Sequence, residues 1–161
     1  MRARLLITVT LSLVLISMSP ASAATIIGTP GNDTLNGTPG DDTIKGRGGA
    51  DYLYGKGGAD KLYGGNGFDK LYGGPGNDTL NGGSSQWQNK IYGAYGQDHI
   101  YASGTDRVYA GNGNDLITVR FGPDPSMEIY CGPGNDHVTF VELSGGVGLH
   151  GCENVEQNHG F

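Results

Sequence analysis

A nine-residue pattern repeats six times without a break between Gly28 and Asn81. Glycine opens each copy, a second glycine follows three residues later, an aspartate comes two residues after that, and an aliphatic residue two residues further on. One short strand and one turn cannot close a hydrophobic core alone, so copies of this kind must stack on their neighbours. The pattern therefore predicts a solenoid, even though 31 glycines and few large aliphatic residues would otherwise suggest disorder.

The aspartate column carries the chemistry of the pattern. Calcium binds carboxylate and backbone carbonyl oxygens, and glycines let carbonyls converge because they lack a Cβ atom. Aspartates repeated in register within glycine-rich turns therefore predict a row of calcium sites. Aspartate is also an ordinary turn former, but that alternative explains one turn and not six in register. The aspartates are Asp33, Asp42, Asp51, Asp60, Asp69 and Asp78, and the turn glycines expected to add carbonyls are Gly31, Gly40, Gly49, Gly58, Gly67 and Gly76.

The pattern resembles G-G-x-G-x-D-x-U-x, the calcium-binding nonapeptide repeat of RTX, or haemolysin-type, proteins. The copies at 64–72 and 73–81 match it in full. The resemblance implies an all-β fold, a right-handed parallel β-roll in which two copies make one coil and odd and even copies build two facing sheets. The first four copies depart from it at the family's second glycine, where they carry Thr29, Thr38, Arg47 and Lys56.

The resemblance also implies where the ions lie: between turns on the same edge of the roll, two copies apart. Stacked turns lie roughly 4.8 Å apart, and aspartates at that range repel one another unless a cation intervenes. Folding is therefore expected to depend on calcium. The four pairs expected with most regularity are Asp33 with Asp51, Asp42 with Asp60, Asp51 with Asp69, and Asp60 with Asp78. Three further pairs bring the upper limit to seven sites: Asp78 with Asp98, Asp98 with Asp115, and Asp115 with Asp136.

The period continues less regularly after the six copies. Residues 28–81 are the regular block, residues 82–139 contain six degenerate copies, and residues 140–161 form an apolar segment that is expected to cap the open end. Asn89 and Met127 replace aspartates in two degenerate copies, and Asp106 faces Met127, so no site is expected there. Twelve copies result, preceded by a first strand at 25–27.

Residues 1–23 differ from the rest of the chain. They combine Arg2 and Arg4 with an apolar run at 5–16 and a small-residue end at 21–23, which predicts a secretory signal cleaved before residue 24 and an extracellular protein. The run is shorter than the roughly 20 residues of a membrane span. Its removal changes the formal charge from -6 to -8. An acidic chain without a basic cluster predicts binding neither to nucleic acid nor to membranes.

The two cysteines, Cys131 and Cys152, follow the regular repeats. A cysteine pair in an exported chain predicts a disulfide, and its spacing fits neither a CxxC redox motif nor a zinc site. The bridge is expected to fasten the cap to the last repeat and to stabilise the fold by roughly 3 kcal/mol.

Tyrosines form a second periodic feature, in the last position of the copies. They are expected to point outward in ladders along both sheets. They either pack against one another across strands or present an aromatic platform for polysaccharide or cell-surface glycan. Trp87 either assists such a platform or only packs locally. The tyrosines are Tyr54, Tyr63, Tyr72, Tyr92, Tyr101, Tyr109 and Tyr130.

No catalytic motif accompanies these features. The histidines at 99, 137, 150 and 159 share no motif, and the Ser144-Gly145-Gly146 sequence is not a nucleophile elbow. The leading interpretation is therefore a secreted, non-enzymatic calcium-binding β-roll that folds when it meets extracellular calcium. Two alternatives stay open: an adhesin or glycan-binding module that uses the tyrosine faces, and an accessory tail related to secreted hydrolases.

Overall fold

The computed structural model describes residues 22–83, 86–120, 126–141 and 147–157. The expected signal sequence lies outside these residues except for its last two positions and stays a prediction. Every strand in the described ranges belongs to one of two parallel sheets. The described part contains no helix long and apolar enough to cross a membrane.

The odd-numbered strands form one sheet, called the odd sheet, in which eight strands lie side by side in the order in which they occur along the chain. They are β1 Thr25–Ile27, β3 Thr43–Gly48, β5 Lys61–Asn66, β7 Thr79–Gly83, β9 His99–Ser103, β11 Leu116–Arg120, β13 His137–Phe140 and β15 Asn154–Gln157. The even sheet contains seven strands. They are β2 Thr34–Asn36, β4 Tyr52–Tyr54, β6 Lys70–Pro75, β8 Lys90–Tyr95, β10 Arg107–Asn112, β12 Glu128–Tyr130 and β14 Gly148–His150.

Each strand pairs in parallel with the strand two further along the chain, so successive copies alternate between the sheets. In the regular block the register shift is two copies, as in the pairing of Leu53 with Leu71 and of Leu62 with Leu80. The predicted parallel β-solenoid with odd and even sheets is confirmed. It has about seven turns.

The core is a double column of aliphatic side chains, one from each copy. Because coils lie above and below, the column members in the middle of the roll have no exposed surface. Ile26 and Leu35 are only partly buried, since they belong to the first coil, which has a neighbour on one side only. The fully buried members of the column are Ile44, Leu53, Leu62, Leu71, Leu80, Ile91, Ile100, Val108, Ile117, Ile129 and Val138.

The strands in the middle of the roll are longer than the three residues that the repeat predicts. β5 and β6, for example, continue through the opening glycine of the next copy, and that glycine is buried like the aliphatic residue two positions earlier. The reason is space. A Cβ atom on Gly46 would collide with the Asp51 carboxylate and lie 2.5 Å from the carbonyl oxygen of Gly64. Glycine therefore lets the ladder extend into the turn.

The C-terminal segment adds strands beyond the twelve predicted copies. β14 pairs with β12 and β15 pairs with β13, so the segment expected as a cap also continues both sheets. The predicted disulfide between Cys131 and Cys152 is present, with 5.2 Å between the Cα atoms. Cys131 is fully buried. The bridge thus fastens the last complete repeat to this segment.

Replacing both cysteines by serine should lower the free energy of unfolding by about 3 kcal/mol, because the bridge closes a loop of 21 residues. A solenoid loses structure from its ends, so faster amide hydrogen exchange should appear first in β13 to β15. Denaturant unfolding and hydrogen exchange in calcium test both points. Reduction of the unmodified protein should reproduce the effect, and unchanged stability would contradict it.

Candidate metal-binding turns

The turns of neighbouring coils touch through their glycines. Gly49 and Gly67 have φ angles of 100° and 122°, a region that disfavours a side chain. A Cβ atom on Gly67 would collide with the carbonyl oxygen of Gly49 in the preceding coil. The turns therefore stack with backbone against backbone, which brings carbonyl oxygens close to one another along the edge.

Three residues occupy left-handed conformations where the family has its second glycine. They are Arg47, Lys56 and Ala94, with φ angles of 81°, 84° and 86°. Such conformations cost roughly 1–3 kcal/mol and persist only where surrounding contacts impose them. The stacked turns supply those contacts here.

The turn aspartates link successive coils through one carboxylate oxygen each. The backbone N–H of Asp51 donates to Oδ1 of Asp69 at 2.9 Å, and the N–H of Asp60 donates to Oδ1 of Asp78 at 2.8 Å. The N–H groups of Asp33, Asp42, Asp78, Asp98 and Asp115 donate in the same way to Asp51, Asp60, Asp98, Asp115 and Asp136. The structure therefore brings together all seven pairs that the family resemblance implies.

The other carboxylate oxygen is sealed from water and has no hydrogen-bond partner. It is the Oδ2 atom of the later aspartate in every pair: Asp51, Asp60, Asp69, Asp78, Asp98, Asp115 and Asp136. A buried acceptor without a partner is costly, and a buried charge is more so. Each of these seven oxygens therefore requires a proton or a cation.

The surroundings of these oxygens suit a hard cation. A point where a Cβ atom would sit on Gly64 lies 2.5 Å from Asp69 Oδ2 and 2.7 Å from the carbonyl oxygen of Gly82. Carboxylate and carbonyl oxygens thus converge on the same glycine. The sequence predicts that the turn glycines supply the carbonyl ligands. These contacts add a further carbonyl, from the glycine that opens the copy two repeats later.

Side chains alone do not form such a site. The described residues contain no group of three or more His, Cys, Asp or Glu side chains that could hold a metal ion. Calcium takes six to eight oxygens, so backbone carbonyls must supply most of the ligands in these turns. The donor set, one buried carboxylate with backbone carbonyls, fits calcium in its chemistry.

Threonines satisfy the same oxygen in the first two copies. The backbone N–H and hydroxyl of Thr29 donate to Asp33 Oδ2 at 2.6 and 2.9 Å. Thr38 does the same for Asp42 at 2.5 and 3.1 Å. These two departures from the repeat therefore close the first coil with hydrogen bonds from the protein itself.

The row of turn aspartates is interrupted at Asn89 and Asp106, where no carboxylate oxygen lacks a hydrogen-bond partner. Asn89 occupies the aspartate position and accepts from the N–H of Asp69 at 2.9 Å. Oδ1 of Asp106 accepts from the N–H of Asn89, and its Oδ2 accepts from the N–H of Ser103, both at 2.9 Å. Asp106 is thus fully buried but fully bonded. This agrees with its omission from the predicted sites.

Glu153 was missed by the sequence reasoning. Its Oε2 accepts from the N–H of Asp136 at 3.1 Å, so it takes the aspartate position in the C-terminal coil. The separation of 17 residues equals that between Asp98 and Asp115. That spacing was the available signal, hidden because the surrounding segment lacks the repeat pattern.

The tyrosines form one column, on the even sheet only. Tyr54, Tyr72, Tyr92, Tyr109 and Tyr130 stack with ring centroids 4.8–4.9 Å apart, and His150 continues the stack at 4.4 Å. We call these six residues the tyrosine column. The expectation of ladders on both sheets is wrong, because on the odd sheet Tyr63 and Tyr101 are separated by Asn81.

Stacking also changes what the tyrosine column can bind. Neighbouring planes lie within 9° of parallel, so each ring face covers the next one and hydroxyls and ring edges line the surface. A flat platform of open ring faces is therefore absent from the column. Trp87 packs edge-on against Phe68, with 5.0 Å between the ring centroids. This contact favours local packing as the role of Trp87.

Comparison with known proteins agrees with the turn geometry. A family model described as an RTX calcium-binding nonapeptide repeat in four copies matches residues 27–62, 54–85 and 88–117. These segments make up more than half of the chain. No curated protein and no solved structure matched it.

The calcium-free protein should become more stable as the pH falls. Burial raises the pKa of Asp69 and Asp78 to about 6 and that of Asp98 to about 7. A raised carboxyl pKa favours the protonated, folded form, so its contribution is complete below the unfolded pKa near 3.9 and is lost as pH rises through about 6 to 7. Circular dichroism in chelator should show increasing β structure from pH 7.5 to pH 5; a decrease would contradict the assignment.

Proposed function

Since the chain belongs to the RTX calcium-binding nonapeptide repeat family, we propose that it is a secreted β-roll protein whose folding is coupled to calcium. The observation that supports this most is the row of buried Oδ2 atoms without partners along the turns. When bound there, calcium supplies positive charge and coordination sites that offset the burial of those carboxylates. Binding energy then contributes directly to folding.

The hydrogen bonds between turn aspartates of neighbouring coils indicate which atoms would bind calcium. Each site would combine the Oδ2 atom of the later aspartate of a pair with carbonyls of the adjoining turns. Seven pairs have such an oxygen, so we propose seven sites, the upper limit from the sequence, instead of the four regular ones. Asp33 and Asp42 lie beside the first sites, but their own Oδ2 atoms are bonded to threonines.

The proposed location is extracellular. The N-terminal segment has the composition of an export signal, and the Cys131–Cys152 disulfide suits an oxidising compartment. Extracellular calcium modules bind at roughly 10⁻⁴ to 10⁻³ M. A chain that folds only at such concentrations would stay unfolded, and therefore exportable, inside the cell.

The proposed role is structural or adhesive instead of catalytic. Among the described histidines, His99 stacks on Tyr101, His137 lies 3.5 Å from Glu156, and His150 ends the tyrosine column. These positions lie on strands, and each of the three side chains contacts a neighbouring side chain of the roll. A link to a secreted hydrolase would place the catalytic groups in a partner protein.

Addition of about 1 mM calcium to the chelated protein at pH 7.5 should convert a largely unfolded far-UV circular dichroism spectrum to a β spectrum. Magnesium at the same concentration is the matched control, because it demands a compact octahedral site and keeps its waters. A chelated protein that is already fully folded at this pH, and unchanged by calcium, would refute the coupling.

An Asp78→Asn substitution should lower the number of bound calcium ions by at least one, because it removes a buried carboxylate charge. Asp106→Asn is the matched control: it changes a buried aspartate of the same column whose oxygens are both bonded within the protein. Calcium stoichiometry by isothermal titration calorimetry separates the two. Equal stoichiometries in both variants would refute the proposed sites.

A further inference from the structure

The charges of the regular roll are sorted between its interior and its surface. Between residues 43 and 120 the chain contains seven aspartates and no glutamate. All seven aspartates are turn residues that are at most 2% exposed. The eight cationic residues of the same stretch are all accessible to solvent: Lys45, Arg47, Lys56, Lys61, Lys70, Lys90, Arg107 and Arg120.

The formal charge therefore misrepresents the surface of the protein. The formal charge from which we expected no basic cluster includes carboxylates that are buried in the turns and do not contribute to the surface. Six of these seven carboxylates belong to the proposed calcium sites, and both oxygens of the seventh, Asp106, are bonded within the protein. The described surface of this stretch therefore presents cations without opposing carboxylates from the same stretch. The sheet faces between residues 43 and 120 are then basic.

Three of these cations lie in a row on the even sheet, beside the tyrosine column. Lys70 pairs in register with Lys90, and Lys90 with Arg107, so the three side chains lie on adjacent strands. We call them the basic row. Each lies two residues before a member of the tyrosine column, on the same outward face. The rung spacing is roughly 4.8 Å.

Contacts within the sheet hold the ends of the basic row. Lys70 Nζ lies 2.9 Å from the Tyr52 hydroxyl and 4.6 Å from the centre of its ring. Arg107 Nε forms an ion pair with Glu128 Oε2 at 2.8 Å. Two of the three side chains are therefore held in place before any ligand arrives, which lowers the entropic cost of binding.

We propose that the basic row, together with the hydroxyls of the tyrosine column, binds an extended anionic polysaccharide that carries carboxylate groups. Ammonium and guanidinium groups pair with carboxylates, and tyrosine hydroxyls can bond to sugar hydroxyls. A row of in-register cations on adjacent strands matches a ribbon-like polymer whose charges recur along its length. The site rests on the proposed function only in requiring the folded roll.

Single-stranded nucleic acid fits this face less well. Proteins that bind it stack successive bases on open aromatic faces, whereas the faces in the tyrosine column cover one another. A duplex would wind its phosphates away from a straight row. Carboxylated sugars need neither open ring faces nor a curved groove.

The test uses the purified protein in calcium and short oligogalacturonates, which do not gel with the ion. Binding is measured by calorimetry at several salt concentrations, with neutral dextran fragments and a single-stranded DNA oligonucleotide as comparison ligands. The test variant is Lys70→Gln/Lys90→Gln/Arg107→Gln. The matched control, Lys45→Gln/Lys61→Gln/Arg120→Gln, removes the same number of charges from accessible positions on the odd strands.

Oligogalacturonate should bind, more weakly as salt rises, and the test variant should lose at least tenfold in affinity while the control stays within about twofold. Equal losses in both variants, no binding by the folded protein, or equal affinity for DNA or dextran would each overturn the proposal. The single variant Lys90→Gln provides a second reading if the triple variant folds poorly. Circular dichroism of each variant with and without calcium reports separately on the proposed folding function.

Discussion

The structure depends on a carboxylate that uses one oxygen and leaves the other unpaired. In the regular turns from Asp51 onward, Oδ1 of the aspartate accepts from the backbone of the preceding coil, which fixes the register between coils. The same bond holds Oδ2 in a place that water does not reach. The turn is therefore incomplete by itself, since a buried charge needs an opposite charge or a proton. The glycines serve the same arrangement, because any Cβ atom would fill the space beside that oxygen.

Much of this arrangement could be predicted from the sequence. A period of nine residues with fixed glycine, aspartate and aliphatic columns specifies strands, turns and stacking, and the resemblance to the nonapeptide repeat family added the two parallel sheets and the seven aspartate pairs. The disulfide followed from two cysteines in a chain whose sequence predicts an export signal. Periodic features were predictable because every copy carries the same signal.

Features that depend on a single neighbour were not predictable. Thr29 and Thr38 were read only as departures from the family pattern, whereas their hydroxyls and N–H groups bond the carboxylates of Asp33 and Asp42. Ser103 follows the same arrangement, because its N–H donates to Oδ2 of Asp106 as the N–H groups of Thr29 and Thr38 do to their own aspartates. The restriction of the tyrosine column to one sheet depends on the identity of one residue, Asn81, between two rings. The threonine and serine contacts lie within a single copy, at a position that the repeat pattern leaves variable, whereas the tyrosine stack depends on contacts between coils.

Charge sorting connects the turns to the faces of the roll. The aspartates of residues 43–120 are buried in the turns, whereas the lysines and arginines of the same stretch are accessible to solvent. The overall negative charge is thus compatible with a basic exterior. The same distribution of residues therefore places the negative charges in the turns and the positive charges on the surface.

The most direct test of this account is a crystal structure grown in calcium, with diffraction measured at a wavelength where calcium scatters anomalously. The account predicts anomalous peaks about 2.3–2.6 Å from Oδ2 of Asp51, Asp60, Asp69, Asp78, Asp98, Asp115 and Asp136. It predicts no peak bound to Oδ2 of Asp106, which accepts from Ser103. A folded roll whose seven Oδ2 atoms have no adjacent calcium would contradict it.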